Sequence, residues 1–536
     1  MPTTPKQIIE EIQQLYLSDS LPWVIGYSGG KDSTAALQLI WMAIAALPDD
    51  RRRFKPVHVI STDTLVENPV IAAWVYISLT RMGLAALEQG LPIKSHRLTP
   101  SLENRFWVNL IGKGYPAPRN KFRWCTDRLK ISASTKFIQD LSEANGEAIL
   151  VLGQRRGESQ ARDKVMDAYQ HSTRERLSRN KDPKLSRVWV YLPIETWSSD
   201  DVWEYIIQTP NPWGINNQDL FDIYRGATPD SECPIVVDKS TPSCGDSRFG
   251  CYVCTMVSQD KSMAAMIQND ADKAWMQPIM DYRDKFLASS GEEGDRKHRD
   301  FRRLNGRLTV MHGRLVHGPY SQERRRVLLL ELLKAESAVQ QSLLQDEISE
   351  EKRGNYRPIE LISTEELDEI RRIWIEDKGE IEDLLPGIYQ EATGRPFPGR
   401  ELDPMPLDPS DLELLKQAAS DWSQAHQPTD DPQVRQEREL ELYKLLRTLL
   451  ASSFRGLQSR QRSKQLDEVS ALLKAFAFVD EADALAFALV HHPDKKAGPA
   501  TESEGGEQDD EVLTQDMEGE FTRKVIPIAL TNDLLV

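Results

Sequence analysis

PWVIGYSGGKDSTAALQLIWMAIAAL, residues 22–47, decides the fold. Residues 22–28 are a short β-type run that stops at Gly29-Gly30. Residues 34–47 are strongly helical. A strand, a glycine turn and a helix in that order make a phosphate cradle. Gly29 and Gly30 let backbone N–H groups approach an anion, and the helix N-terminus adds a favourable dipole. Lys31 supplies a point charge, and the Ser28 and Ser33 hydroxyls are further donors. Asp32 is a candidate for organising the loop or a metal. The loop is not a Walker A sequence, which needs four residues between its glycines.

Outward from this stretch the pattern repeats. Residues 6–17 are a lead-in amphipathic helix. Strands are expected at 56–62, 91–98, 147–153 and 188–194, with helices at 68–90 and 126–144 between them. Such alternation predicts an α/β fold: a parallel, Rossmann-like sheet with helices on both faces. Ligands in these sheets bind beyond the carboxyl ends of the strands, where the strand order reverses. The organisation expected is a nucleotide domain over 1–209, a cysteine-rich segment over 210–260 and a helical basic region over 261–394. A Pro-rich linker (395–411), a helical part (412–492) and an acidic, largely disordered tail (493–536) follow.

A net charge of -16 argues against a protein that coats nucleic acid, but its distribution is uneven. Between Arg155 and Arg187 ten basic residues face five acidic ones; from Arg296 to Arg326 the ratio is ten to two. Locally basic faces of this kind can hold a polyanion, and DNA is the expected partner. The sequence shows no export signal and no run of eighteen apolar residues, so a cytoplasmic chain without a membrane span is expected. Five cysteines are too few and odd in number for a disulfide framework. Four of them, Cys233, Cys244, Cys251 and Cys254, crowd into 22 residues and read as ligands of zinc or an iron–sulfur cluster. Cys125, in RWCTDRLK (123–130), sits at a helix start among Arg123, Arg128 and Lys130. That setting predicts a lowered pKa and a reactive thiolate.

SGGKDS resembles the signature of the N-type ATP pyrophosphatases, which include the PAPS and APS reductases and tRNA thiolases. Three further boxes point to the PAPS-reductase branch: STDTLVENP (61–69), GQRRGESQARD (153–163) and YLPIETWSSDDVWEYI (191–206). The resemblance covers about residues 20–260. It implies ATP as substrate, bound by Ser28 to Ser33, Asp63, Gly153, Arg155 and Arg162, with Mg2+ as cofactor. Lys31, Asp32, Arg155 and Arg156 would carry the chemistry with Cys125. Guanidinium forks suit phosphate oxygens, which agrees with arginines opposite the glycine loop.

The whole pattern resembles the DndC family, the sulfurtransferases of bacterial DNA phosphorothioation. CGDSRFGCYVCT (244–255) is its most specific piece, and HGPYSQERR (317–325) adds to it. The resemblance implies a 4Fe-4S cluster, a cysteine desulfurase as sulfur donor and other phosphorothioation proteins as partners. Cys233, Cys244, Cys251 and Cys254 are assigned to the cluster and Cys125 to sulfur transfer. In the competing arrangement, suggested by the APS reductases, Cys125 is a ligand and Cys233 is spare. A PAPS reductase would need a catalytic cysteine near the C-terminus, and no cysteine follows Cys254. A tRNA thiolase would be expected to carry an RNA-binding module, for which the sequence has no signal.

Overall fold

The computed structural model describes residues 3–119, 122–156, 176–180, 182–228, 249–288, 291–345, 359–401, 409–458 and 462–491. The chain divides into two compact units. One comprises Met1–Phe106, Cys125–Asp284 and Ala338–Ile359; the other comprises Trp107–Trp124, Lys285–Ser337 and Glu360–Val536.

The first unit is built on a six-stranded sheet. Its strands are β1 (Trp23–Gly26), β2 (Val57–Thr62), β3 (Ile93–Leu98), β4 (Ala148–Leu152), β5 (Ser178–Arg179) and β6 (Val188–Tyr191), in the spatial order β3-β2-β1-β4-β6-β5. β1 pairs in parallel with β2 on one side and β4 on the other, Ile25 lying opposite Val59 and Val151. The order therefore reverses between β1 and β4, and the glycine loop leaves the sheet there. Central strands of a parallel sheet are covered on both faces, which explains their unbroken apolar runs. Trp23, Val24 and Ile25 in β1 and Ala148 to Val151 in β4 are all buried.

Helix α1 (Pro5–Leu17) opens on a capping box in which Thr4 and Gln7 satisfy each other's backbone N–H. Helix α2 (Lys31–Ala45) begins three residues earlier than the sequence predicts. Gly30, in extended geometry, serves as its N-cap, so the phosphate loop and the helix are continuous. α2 packs on α1 and on the helix Ser199–Gln208, and its Trp41 is wholly buried, with its ring against Trp213. Burial of one such side chain is worth about 1.5–3 kcal/mol. The helix Pro69–Glu88 is long and apolar enough to cross a membrane by length and composition alone. It packs against β3, with Trp74, Leu79, Met82 and Ala86 in the core. The helix expected at 126–144 starts with a wide π-type turn, Thr126–Ile131, and continues as Ser132–Asn145. β5, an antiparallel edge strand on β6, was not anticipated: two residues carry no periodicity.

The second unit is mainly helical, as expected of the C-terminal part. Its longer helices include Pro409–His426, Pro432–Gln458 and Arg462–Ala475. Residues 107–124 belong here by packing. Trp107 Nε1 donates to the Leu361 carbonyl at 2.7 Å, and Trp374 Nε1 to the Ile111 carbonyl at 2.9 Å. A two-stranded hairpin, Val310–Met311 with Arg314–Leu315, interrupts the helices. His312 and Gly313 form its tight turn, both at positive φ, as a primed hairpin turn requires.

Candidate active site

Five hydrogen bonds set the shape of the loop 28–33. Ser28 N–H donates to Ser33 Oγ (3.2 Å), and Ser33 Oγ donates to the Gly30 carbonyl (3.0 Å). Trp74 Nε1 holds the Gly29 carbonyl at 3.0 Å. Gly30 N–H reaches Ser28 Oγ at 3.5 Å and Lys31 N–H reaches the Tyr224 hydroxyl at 3.4 Å. Gly29 sits at φ +76°, and a β carbon on it would lie 2.4 Å from Val75 Cγ2.

Asp32 organises the charges. Its Oδ2 accepts from Lys31 Nζ at 3.2 Å and its Oδ1 from Arg155 Nε at 2.5 Å. Lys31 and Arg155 are buried, so the carboxylate holds two poorly solvated cations side by side at the head of α2. Gly153 makes this closeness possible: a β carbon there would fall 2.5 Å from the Asp32 carbonyl oxygen. The sequence expectation thus finds its loop and β4-end residues together. Arg156 turns elsewhere, donating to Glu195 Oε1 at 2.7 Å beyond β6. Asp63 lies beyond β2, where its Oδ2 accepts from Arg97 Nε and Nη2 (2.9 and 2.6 Å) and its Oδ1 from Leu65 N–H. Arg162 lies outside the described residues. Both Asp32 and Asp63 already neutralise cations, so these carboxylates do not fit Mg2+ as ligands in this arrangement.

A second cluster involves the cysteines. Gly250 and Tyr252 pair with the turn after β2: Asn68 N–H donates to Gly250 O, Tyr252 N–H to Val66 O, and Cys251 lies opposite Glu67. Cys251 Sγ is 3.4 Å from Thr64 Oγ1 and 3.7 Å from Glu67 Oε1; Lys130 Nζ reaches the same carboxylate oxygen at 3.3 Å. Cys254 N–H turns back onto Cys251 O at 3.0 Å. Buried Arg283 secures the following loop through the carbonyls of Cys254, Val257 and Ser258.

Cys125 joins this group: Cys254 acts on its thiol, and Cys125 in turn acts on that of Cys251. The expected low pKa is overturned. Burial, then the neighbouring Cys254, pushes the Cys125 thiol up, and Lys130 offsets this only in part. Burial and Glu67 likewise push Cys251 up to about 12. Burial pulls the Lys130 ammonium down, but Cys251 and Glu67 outweigh it and raise it. Among the described residues no three thiol, carboxylate or imidazole groups gather closely enough to form a metal site. Cys233 and Cys244 lie outside those residues. The donor chemistry still fits an iron–sulfur cluster, because burial and mutual repulsion hold thiols neutral until a bound cation replaces their protons.

The basic runs, expected to offer a surface to DNA, are partly taken up by internal ion pairs. Residues 157–175 of the first lie outside the described residues. Of the rest, Arg176 pairs with Glu11 and Arg179 with Glu147. The second run belongs to the second unit, where Arg302, Arg303 and Arg325 are buried. Arg325 makes a bidentate pair with Glu380, Arg302 meets Glu441 at 2.7 Å, and Arg296 meets Glu481 at 3.0 Å. Arg296, Arg302 and Arg325 of this run are thus engaged in internal ion pairs, which residue counting cannot foresee. Glu67, Glu195, Tyr224 and Arg283 were not singled out from sequence. The first two lie inside the quoted boxes; Tyr224 and Arg283 carry no sequence signal.

Comparison with known proteins matches residues 22–222 to the phosphoadenosine phosphosulfate reductase domain. This part of the chain is similar to that domain. An uncharacterized protein from Methanocaldococcus jannaschii is 28% identical over 211 residues, an alignment covering 39% of this chain and 36% of that protein. The chain thus spans only about a third of that relative's length. Similar solved structures include the PAPS reductase of Candida auris in a phosphate complex, at TM-score 0.24 and 15% identity, covering 39% of this chain and 82% of that one. Another is the U34-tRNA thiolase NcsA of Methanococcus maripaludis with its 4Fe-4S cluster, at TM-score 0.25 and 14% identity, covering 53% and 81%. The matched segment contains the glycine loop, Asp32, Asp63, Cys125, Gly153 and Arg155; Cys251 and Cys254 follow it.

Proposed function

We propose that the chain is an ATP-dependent sulfurtransferase of the DndC kind, acting in DNA phosphorothioation. The observation that carries this reading is the group Lys31–Asp32–Arg155, gathered at the N-terminus of α2 where the strand order reverses. A helix N-terminus with two buried cations suits the phosphates of a nucleotide. The sequence CGDSRFGCYVCT then favours DNA phosphate as the acceptor.

A non-bridging oxygen of the DNA backbone attacks the α-phosphorus of ATP in line. The bond to the β-phosphate breaks and pyrophosphate leaves, giving a DNA-phosphate adenylate. A thiol reductant cleaves the S–S bond of the desulfurase's persulfide and leaves as a disulfide; the hydrosulfide released forms a P–S bond, the P–O bond to AMP breaks, and AMP departs. The protein's part is positioning and charge neutralisation. Loop N–H groups, Lys31 and Arg155 take the charge of the departing pyrophosphate. Asp32 holds both cations in register. Cys125, Cys251 and Cys254 would hold a 4Fe-4S cluster together with Cys233 or Cys244. When bound, such a cluster supplies a place to bind and release sulfur.

The test is pyrophosphate release from ATP with duplex DNA, tRNA or sulfate as co-substrate. Release stimulated by DNA supports the reading. Release stimulated by tRNA or sulfate alone would overturn it in favour of a tRNA-thiolating or reductase-type enzyme. Iron content refines the ligand set: Cys125→Ser should lose iron, and iron retained in that variant would return Cys125 to a separate sulfur-carrying role.

A further inference from the structure

Tyr224 lies on the helix Asn217–Gly226 and is buried. Its hydroxyl accepts the Lys31 N–H at 3.4 Å and lies 3.2 Å from where a Gly30 β carbon would be. It therefore sits directly on the backbone of the phosphate loop. The Lys31 ammonium is 5.8 Å from the centre of its ring. Two other rings clamp Tyr224 edge-on: Trp203 at 5.0 Å and 86°, Phe249 at 4.8 Å and 84°. Phe249 stands two residues before Cys251. The segment that follows it is pinned to the turn after β2 by Gly250, Cys251 and Tyr252.

A bond of 3.4 Å to a neutral phenol oxygen is long and weak. A phosphate oxygen, being anionic, is the stronger acceptor for the same N–H. Nucleotide binding and the Tyr224 hydroxyl thus compete for one donor. A ring clamped between two others cannot tilt alone, so its displacement is felt by Phe249.

We infer that Tyr224 is a positioning residue that holds the Lys31 N–H until a nucleotide phosphate replaces it, and that its ring passes the exchange through Phe249 to the Cys251–Cys254 segment. This inference rests on the proposed ATP site. It makes the cysteine cluster responsive to occupancy of the phosphate loop about a chain segment away, with no change of fold.

The test uses the full-length chain, purified anaerobically, with α,β-methylene ATP, which cannot be split between the α and β phosphates. Affinity is read by calorimetry, and backbone hydrogen exchange is followed over 249–255. In the parent chain the nucleotide alters exchange over 249–255. Tyr224→Phe keeps the ring but frees the N–H, so it should bind about two- to ten-fold more tightly, the worth of one neutral hydrogen bond no longer broken. Exchange over 249–255 should no longer respond in that variant. Phe249→Leu should bind as the parent does and also lose the response. Unchanged or weaker binding by Tyr224→Phe, or an equal exchange response in all three proteins, overturns the inference. A parent chain that binds no nucleotide overturns the ATP site itself, and the inference with it.

Discussion

Asp32 is the residue on which the site turns, and its burial changes what mutation should do. Exposed loop residues contribute little to stability, but Asp32 holds Lys31 and Arg155, both buried. Asp32→Ala leaves two cations without their shared partner, so it should lower stability by up to about 3–5 kcal/mol as well as abolish pyrophosphate release. Lys31→Ala should abolish release at a smaller cost in stability, because Arg155 retains Asp32. Chemical denaturation of the two variants checks the difference; equal losses would contradict it. Gly153→Ala places a methyl group 2.5 Å from the Asp32 carbonyl oxygen. It should cost about 1–3 kcal/mol and weaken nucleotide binding without altering any charged group, readable by denaturation and calorimetry. Gly153 was legible in the sequence as part of the GQRRGES box, though its packing role was not. Cys125 misled for a physical reason: flanking Arg and Lys letters suggest a low pKa, but burial beside Cys254 dominates.

At the scale of elements, strands β1 to β4 and β6 were legible because buried parallel strands write continuous apolar runs. The glycine loop was legible because a turn between strand and helix needs those residues. β5 and the His312–Gly313 hairpin were not, being two-residue strands whose pairing is set by neighbours. The sequence also gave no sign of the histidine pair across β2 and β3. His58 Nδ1 and His96 Nε2 lie 3.0 Å apart, with Phe137 packed on both rings. Burial, then His96 and Lys94, lowers His58 from the ordinary 6.5 to about 4. Its neutral form is thus favoured on folding, and the unfolded chain binds the extra proton. The associated stability is present above pH 6.5 and is lost as pH falls from 6.5 towards 4. His58→Gln should flatten the fall of melting temperature across that window; an unchanged slope would show that the pair does not titrate as described.

At the scale of the whole molecule, a charge count does not separate internal ion pairs from a basic surface. The run 296–326 looks like a polyanion surface on paper, yet Arg302, Arg303 and Arg325 lie within the second unit. Arg325→Ala should cost about 3–5 kcal/mol by leaving Glu380 buried and unpaired, with the salt dependence of DNA affinity unchanged. A shallower salt slope at full stability would instead return Arg325 to a phosphate-contacting role. Packing also assigns residues 107–124 to the second unit although they fall between strands of the first in sequence, a placement no local pattern encodes. The proposed activity depends on how ATP is cut. The most direct measurement follows ATP labelled at the α-phosphate in the full-length chain and in Arg155→Ala. Labelled AMP or its DNA adduct, with pyrophosphate, is expected from the first and is lost in the second; labelled ADP with orthophosphate would contradict the ATP pyrophosphatase reading.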